Sequence, residues 1–162
     1  MQKTYRTGAI GALLEEYERA IDDLKLVLID VSDEDLATIV DTQTTDEDCR
    51  SIQTIMGHVV RAAYGYAIYI YRHLGEDFEF RTTVLRATSQ EYCDDIDASF
   101  QFNVALFEKY PNLNLEELDN EKKILTRWGQ LFDYDQLLEH AIVHILRHRR
   151  QIEKFKNIQK RN

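Results

Sequence analysis

The sequence predicts an all-α protein, a four-helix bundle forming a single domain over residues 1–162. Three observations lead there. Four long stretches carry apolar residues at helical spacing. The chain of 162 residues holds one proline, Pro111, and six glycines, too few for a loop-rich or all-β protein. No stretch makes a convincing sheet, so the amphipathic helices must bury their apolar faces against one another. A domain of about 150 residues buries roughly 68–70% of the surface its unfolded chain exposes, so an ordinary core suffices.

The first helix is expected over about residues 3–29, with Ile10, Leu13, Leu14, Tyr17, Ile21, Leu24 and Leu28 on one face. The segment "VSDEDL" reads as a stop followed by a new turn, and "DTQTTDEDC" as a polar, acidic loop. The second helix begins at Ser51, whose hydroxyl can cap the free N–H groups of the first turn. Ile52, Ile55, Met56, Val59, Ala63, Tyr66, Ala67 and Ile70 carry it to about Leu74, where Gly75 can terminate it. The third runs from about Ser89 to Tyr110 and cannot pass Pro111. The fourth starts after Asp133, which has capping-box spacing to Gln136, and continues through Leu137, Ala141, Ile145, Ile152 and Phe155. "DFEFRTTV" and "KKILTRWGQLF" have some β character and are expected to give short extended pieces.

The formal net charge of −9 argues against nucleic acid as a partner, since phosphate neutralisation dominates that affinity. The basic tail after Arg147 reads as cations complementing a helix C-terminus. The two cysteines, Cys49 and Cys93, are in no metal or redox spacing. The N-terminal stretch enters an amphipathic, partly acidic helix and does not read as a signal peptide. No apolar run approaches the roughly 20 residues that span a bilayer. These features predict a cytoplasmic protein with free thiols and no membrane partner.

Three of the five histidines, His140, His144 and His148, recur every four residues in the fourth helix. His148 falls inside the apolar stripe, His144 on its edge beside Gln151, and His140 further round. Imidazoles four residues apart are neighbours on a helix and can converge on one metal ion. Three at successive steps span about 12 Å and cannot all reach one ion. Spacing alone leaves His140/His144 and His144/His148 as competing pairs. His58, on the second helix beside the small Ala62 and Gly65, is the best third ligand. The plainer role for any buried histidine is a hydrogen-bonded core residue. His73 reads as a surface residue favoured by a helix C-terminus. Tyr64, Tyr66, Tyr69 and Tyr71 read as core and interface, and Cys49 as an incidental thiol.

These pieces resemble a known family. "HAIVHILRHRRQI" is similar to the HxxxHxxxHRGQI signature of the DinB-like (YfiT-like) metal-binding proteins. "SIQTIMGHVV" resembles their serine-led second helix with a histidine seven residues on. "WGQLFDYDQLLEH" resembles their Trp-Gly turn into the last helix. One departure is Arg150, where the signature has glycine. The resemblance implies an up-down-down-up four-helix bundle with a three-histidine site for a divalent metal, zinc or nickel. Carried over by motif position, the ligands are His58, His144 and His148, and His140 is set aside. It further implies a small-molecule substrate and a homodimer.

Some relatives are S-transferases or isomerases that use a low-molecular-weight thiol such as bacillithiol or mycothiol. In that chemistry the ion holds the sulfur as a thiolate, the nucleophilic form. The same ligands suit a hydrolase, since zinc can lower the pKa of water to about 7. A non-catalytic metal-binding stress-response protein and a metal-free helical interaction module are the alternatives outside enzymology.

Overall fold

The computed structural model describes residues 4–161. Helix α1 spans Gly8–Leu28, α2 Asp33–Ala37, α3 Ile52–His73, α4 Ser89–Lys109 and α5 Tyr134–Gln159. A two-stranded antiparallel hairpin, β1 (Ile124–Leu125) and β2 (Leu131–Phe132), precedes α5, with Leu125 opposite Leu131. The protein is all-α apart from this hairpin. The first helix, expected from about residue 3, starts later, at Gly8: residue 3 lies outside the described residues, and residues 4–7 are not helical, with Thr7 as the extended cap position. "VSDEDL" does stop one helix and start a new turn, the short α2.

Side-chain caps set where three of the long helices begin. Ser51 accepts from Thr54 N–H while the Thr54 hydroxyl accepts from Ser51 N–H. Thr88 and Glu91 make the same reciprocal pair at α4, and Asp133 and Gln136 make it at α5. Each satisfies donors the first turn leaves orphaned, worth about 1 kcal/mol. Helix α3 ends in a 6→1 bond from Glu76 N–H to Tyr71 C=O and a 5→2 bond from Gly75 N–H to Arg72 C=O. That ending requires a left-handed residue, which Gly75 supplies at φ 89°.

The long helices pack as α1 on α4 and α5, and α3 on α4 and α5. One cluster of buried side chains runs through them, including Leu24, Leu28, Ile55, Val59, Ile96 and Ile152, all at most 0% exposed. Each such side chain contributes about 1.5–3 kcal/mol. Asn103 crosses from α4, donating from Nδ2 to Ala63 C=O of α3 at 3.1 Å. The basic end of α5 is held to α1 by Arg149 on Asp23 at 2.9 Å and to the turn after α1 by Lys156 on Asp30. The tail cations thus pair with acids across helices as well as complementing the helix end. No helix among the described residues is long and apolar enough to cross a membrane.

The two stretches of β character part company. "KKILTRWGQLF" holds the hairpin, whereas "DFEFRTTV" forms no strand. Its alternating aromatics find side chains instead of a partner strand: Phe78 lies against Tyr71 and Phe80 against Tyr69, at ring separations of 4.5 and 4.7 Å. The chain then crosses α3 at Gly57, where a Cβ would sit 2.9 Å from Thr83 Cγ2 and 3.3 Å from Val84 O. Gly65, two turns on, faces open space. Opposite effects are expected from the same substitution. Gly57→Ala should cost about 1–3 kcal/mol by overpacking, while Gly65→Ala should gain up to about 1 kcal/mol of helix propensity. Urea midpoints of the two variants check the pair.

Candidate metal centre

The capped start of α3 places His58 two turns into that helix, on the side packed against α5. There it meets His144 and His148. Ring centroids are 4.9 Å apart for His58 and His144, 5.0 Å for His58 and His148, and 4.5 Å for His144 and His148. One ring nitrogen from each lies within 4.8 Å of the other two, a group that can hold a metal ion. Of the two pairs that spacing left open, the fold therefore brings His144 and His148 to His58. His140 instead stacks on Trp128 at 5.7 Å, with its ring 6.4 Å from that of His144. His73, the last residue of α3, is exposed.

Hydrogen bonds aim two of the rings. His58 Nδ1 lies 3.1 Å from Asp48 Oδ2 and also 3.0 Å from Arg61 Nη2. The two contacts demand opposite tautomers, because a guanidinium can only donate. Arg61 already donates to Asp48 Oδ2 at 2.8 Å, and the carboxylate is the stronger partner for the ring. His58 Nδ1–H therefore donates to Asp48, and its Nε2 lone pair faces His144 Nε2 at 2.9 Å. His148 Nδ1–H donates to Gln151 Oε1 at 3.0 Å, leaving its Nε2 lone pair free. Carboxylate and amide partners of this kind orient histidines for a metal.

The donor set fits a divalent cation. All three imidazoles are held below their ordinary pKa, chiefly by burial. His144 is pushed down to about 2 by burial and then by His148 and His58. The Asp48 carboxylate partly offsets burial at His58. The site thus keeps three neutral nitrogen donors without paying for their deprotonation, as metal binding requires. A tetrahedral centre separates such nitrogens by about 3.3 Å, so the 2.9 Å pair need open by only a few tenths of an ångström.

A cleft of about 680 Å³ opens beside the histidines. His58, His144 and His140 line it with Tyr66, Tyr69 and Trp128. A further cleft of about 780 Å³, between the start of α1 and the end of α4, has no histidine or cysteine in its lining. Arg150 is exposed and does not line the histidine cleft.

Sequence reasoning placed His58, His144, His148 and Gln151 on the face that forms this group. It did not single out Asp48 among the acids of its loop. That loop contains a 3-10 turn, Glu47–Cys49, capped by Asp46, and the turn delivers Asp48 to His58. Arg61 was also missed, although its spacing of three from His58 puts the two on one face. Tyr64, Tyr66 and Tyr71 are buried as expected, but Tyr66 and Tyr69 also wall the cleft. Cys49 lies 3.9 Å from Gln151 Oε1, and burial pushes its thiol up rather than down.

Asp48→Ala removes the carboxylate that fixes the His58 tautomer. The variant is expected to bind zinc about 10–100-fold more weakly, with Asp48→Asn intermediate because its amide oxygen still accepts. Competition against a chromophoric chelator measures both.

The elements together define an all-α protein with a three-imidazole group spanning two helices. No family model, curated protein or solved structure matches the chain.

Proposed function

We propose that the protein is a DinB-like metal-dependent enzyme. In this reading the chain is an up-down-down-up four-helix bundle, and His58, His144 and His148 hold one divalent cation, zinc or nickel. The observation that carries it is the convergence of three neutral ring nitrogens from two helices beside an open cleft. Among the described residues the group comprises these three side chains, as in catalytic sites that keep a position for a ligand.

The reaction proposed is transfer to sulfur. A bound cation would supply the activation of a low-molecular-weight thiol, whose sulfur attacks an electrophilic small molecule. A carbon–sulfur bond forms while the leaving group departs with its electron pair, and the thiol proton passes to solvent. The chain's own part is to aim the imidazoles through Asp48 and Gln151 and to shield the reacting atoms with Tyr66 and Trp128. Both cysteines are free, which suits a cytoplasmic setting. Exposed Leu131 and Val143 share one surface depression and suit a homodimer contact.

The test is metal analysis of protein purified without a metal-affinity column, followed by conjugation assays with several low-molecular-weight thiols and an alkyl halide. Metal-dependent conjugation lost in the triple alanine variant of His58, His144 and His148 supports the reading. Metal without thiol activity would move the assignment to a hydrolase or a non-catalytic binder. Equal, negligible metal in both proteins would remove the site.

A further inference from the structure

The cleft beside the histidines has an unusual electrostatic lining. The chain carries 29 acidic residues against 20 lysines and arginines, yet three arginines and no carboxylate line this cleft. One of them, Arg61, is committed to Asp48. Arg81 and Arg127 are not: among the described residues neither guanidinium has a hydrogen-bond or ion-pair partner. They are nonetheless held in place. The Arg81 guanidinium carbon sits 3.3 Å from the centroid of the Tyr64 ring, and that of Arg127 sits 3.9 Å from the centroid of Phe80. Arg127 is further fixed where its backbone N–H donates to Tyr69 Oη at 2.9 Å.

Stacking on an aromatic face engages the flat side of a guanidinium and leaves its N–H edge free. That edge matches the two oxygens of a carboxylate or phosphate. A low-dielectric aromatic wall strengthens such a contact, and in an acidic protein a local cluster of unpaired cations focuses anions.

We propose that this cleft binds a small anionic ligand, with Arg81 and Arg127 taking its carboxylate or phosphate group and its body lying along Tyr69 and Trp128 toward His58 and His144. The reach toward the histidines rests on the metal-dependent reading above; the anion site itself does not.

Trp128 is the only tryptophan of the chain and lines the cleft, so its fluorescence reports binding. The probes are benzoate, phenyl phosphate and the uncharged benzyl alcohol, titrated into EDTA-treated and zinc-loaded protein. At least one anion is expected to bind about tenfold or more tightly than the alcohol in both forms. The tighter of the two names the group the site takes. Its affinity should fall as salt rises, and that of the alcohol should not. The double variant Arg81→Gln/Arg127→Gln should lose the preference, and Arg81→Lys/Arg127→Lys should keep part of it. Both side chains are exposed, and circular dichroism checks that the variants fold; the salt dependence of the unaltered protein serves if one does not.

Equal affinity for alcohol and anions, or no binding of any probe, would overturn the proposal. So would a preference that survives in the glutamine variant. A preference seen only with zinc, and indifferent to the arginines, would assign the anion to the ion instead. Failure of zinc to bind would defeat the metal-dependent reading alone, because the EDTA-treated arm still decides the arginines' role.

Discussion

Alanine at His144 is expected to lower zinc or nickel affinity by roughly a hundred- to a thousand-fold, and the same change at His140 to leave it nearly intact. The first figure follows from sharing the roughly 10–16 kcal/mol of a structural zinc site among its four ligands, about 2.5–4 kcal/mol each. All three rings lie within 5.0 Å of one another, His144 at 4.9 and 4.5 Å from the other two, and its loss leaves two donors on different helices. His140 has the same residue type and the same spacing along α5, but its ring is committed to Trp128. The contrast separates a built site from a general affinity of histidines for metal. Equilibrium dialysis with metal analysis of the two variants and the unaltered protein reads it directly.

A second large effect is expected in the pH dependence of the metal-free fold. A histidine in the unfolded chain titrates near 6.5, whereas burial holds His58, His144 and His148 below their ordinary range in the fold. Below pH 6.5 the unfolded state therefore binds more protons than the native state, and stability falls as pH falls. The contribution is complete above pH 6.5. For His144 the loss continues down toward about 2, at about 1.4 kcal/mol per pH unit. The other two add to the slope in the same direction. Urea unfolding of metal-free protein between pH 7 and pH 5 should show it, and His144→Gln should reduce the slope by about one proton. An unchanged slope in that variant would mean that His144 titrates normally in the fold. Saturating zinc at neutral pH should raise stability by about 2.7 kcal/mol at a hundred times its dissociation constant, which EDTA reverses.

The helices were readable because their signals are local. Ser51 caps its helix start as its residue type predicts, Asp133 does so with the spacing to Gln136 that the sequence shows, and Gly75 ends α3 through a short-range hydrogen-bond pattern. The histidine face was readable for a related reason. Four-residue spacing fixes which side chains share one side of a helix, although it could not choose between the two α5 pairs. That choice depends on where α3 lies, which the spacing within α5 does not contain.

What sequence did not yield came from contacts between distant segments. Asp48 looks like any other acid of its loop until a three-residue turn carries it to a ring ten positions later. The stretch "DFEFRTTV" has strand-like alternation, yet Phe78 and Phe80 pack on tyrosines of α3 and no partner strand forms. Arg81 and Arg127 lie in separate connections, and nothing local to either suggests one cleft. Arg150, by contrast, departs from the signature without entering the cleft.

X-ray absorption spectroscopy on tag-free protein loaded with one equivalent of zinc bears most directly on the histidine group. The arrangement predicts three imidazole nitrogens at about 2.0–2.1 Å, completed by a light-atom ligand from solvent. A spectrum with one imidazole or none, unchanged when His58 is replaced by alanine, would contradict a cation shared between the two helices.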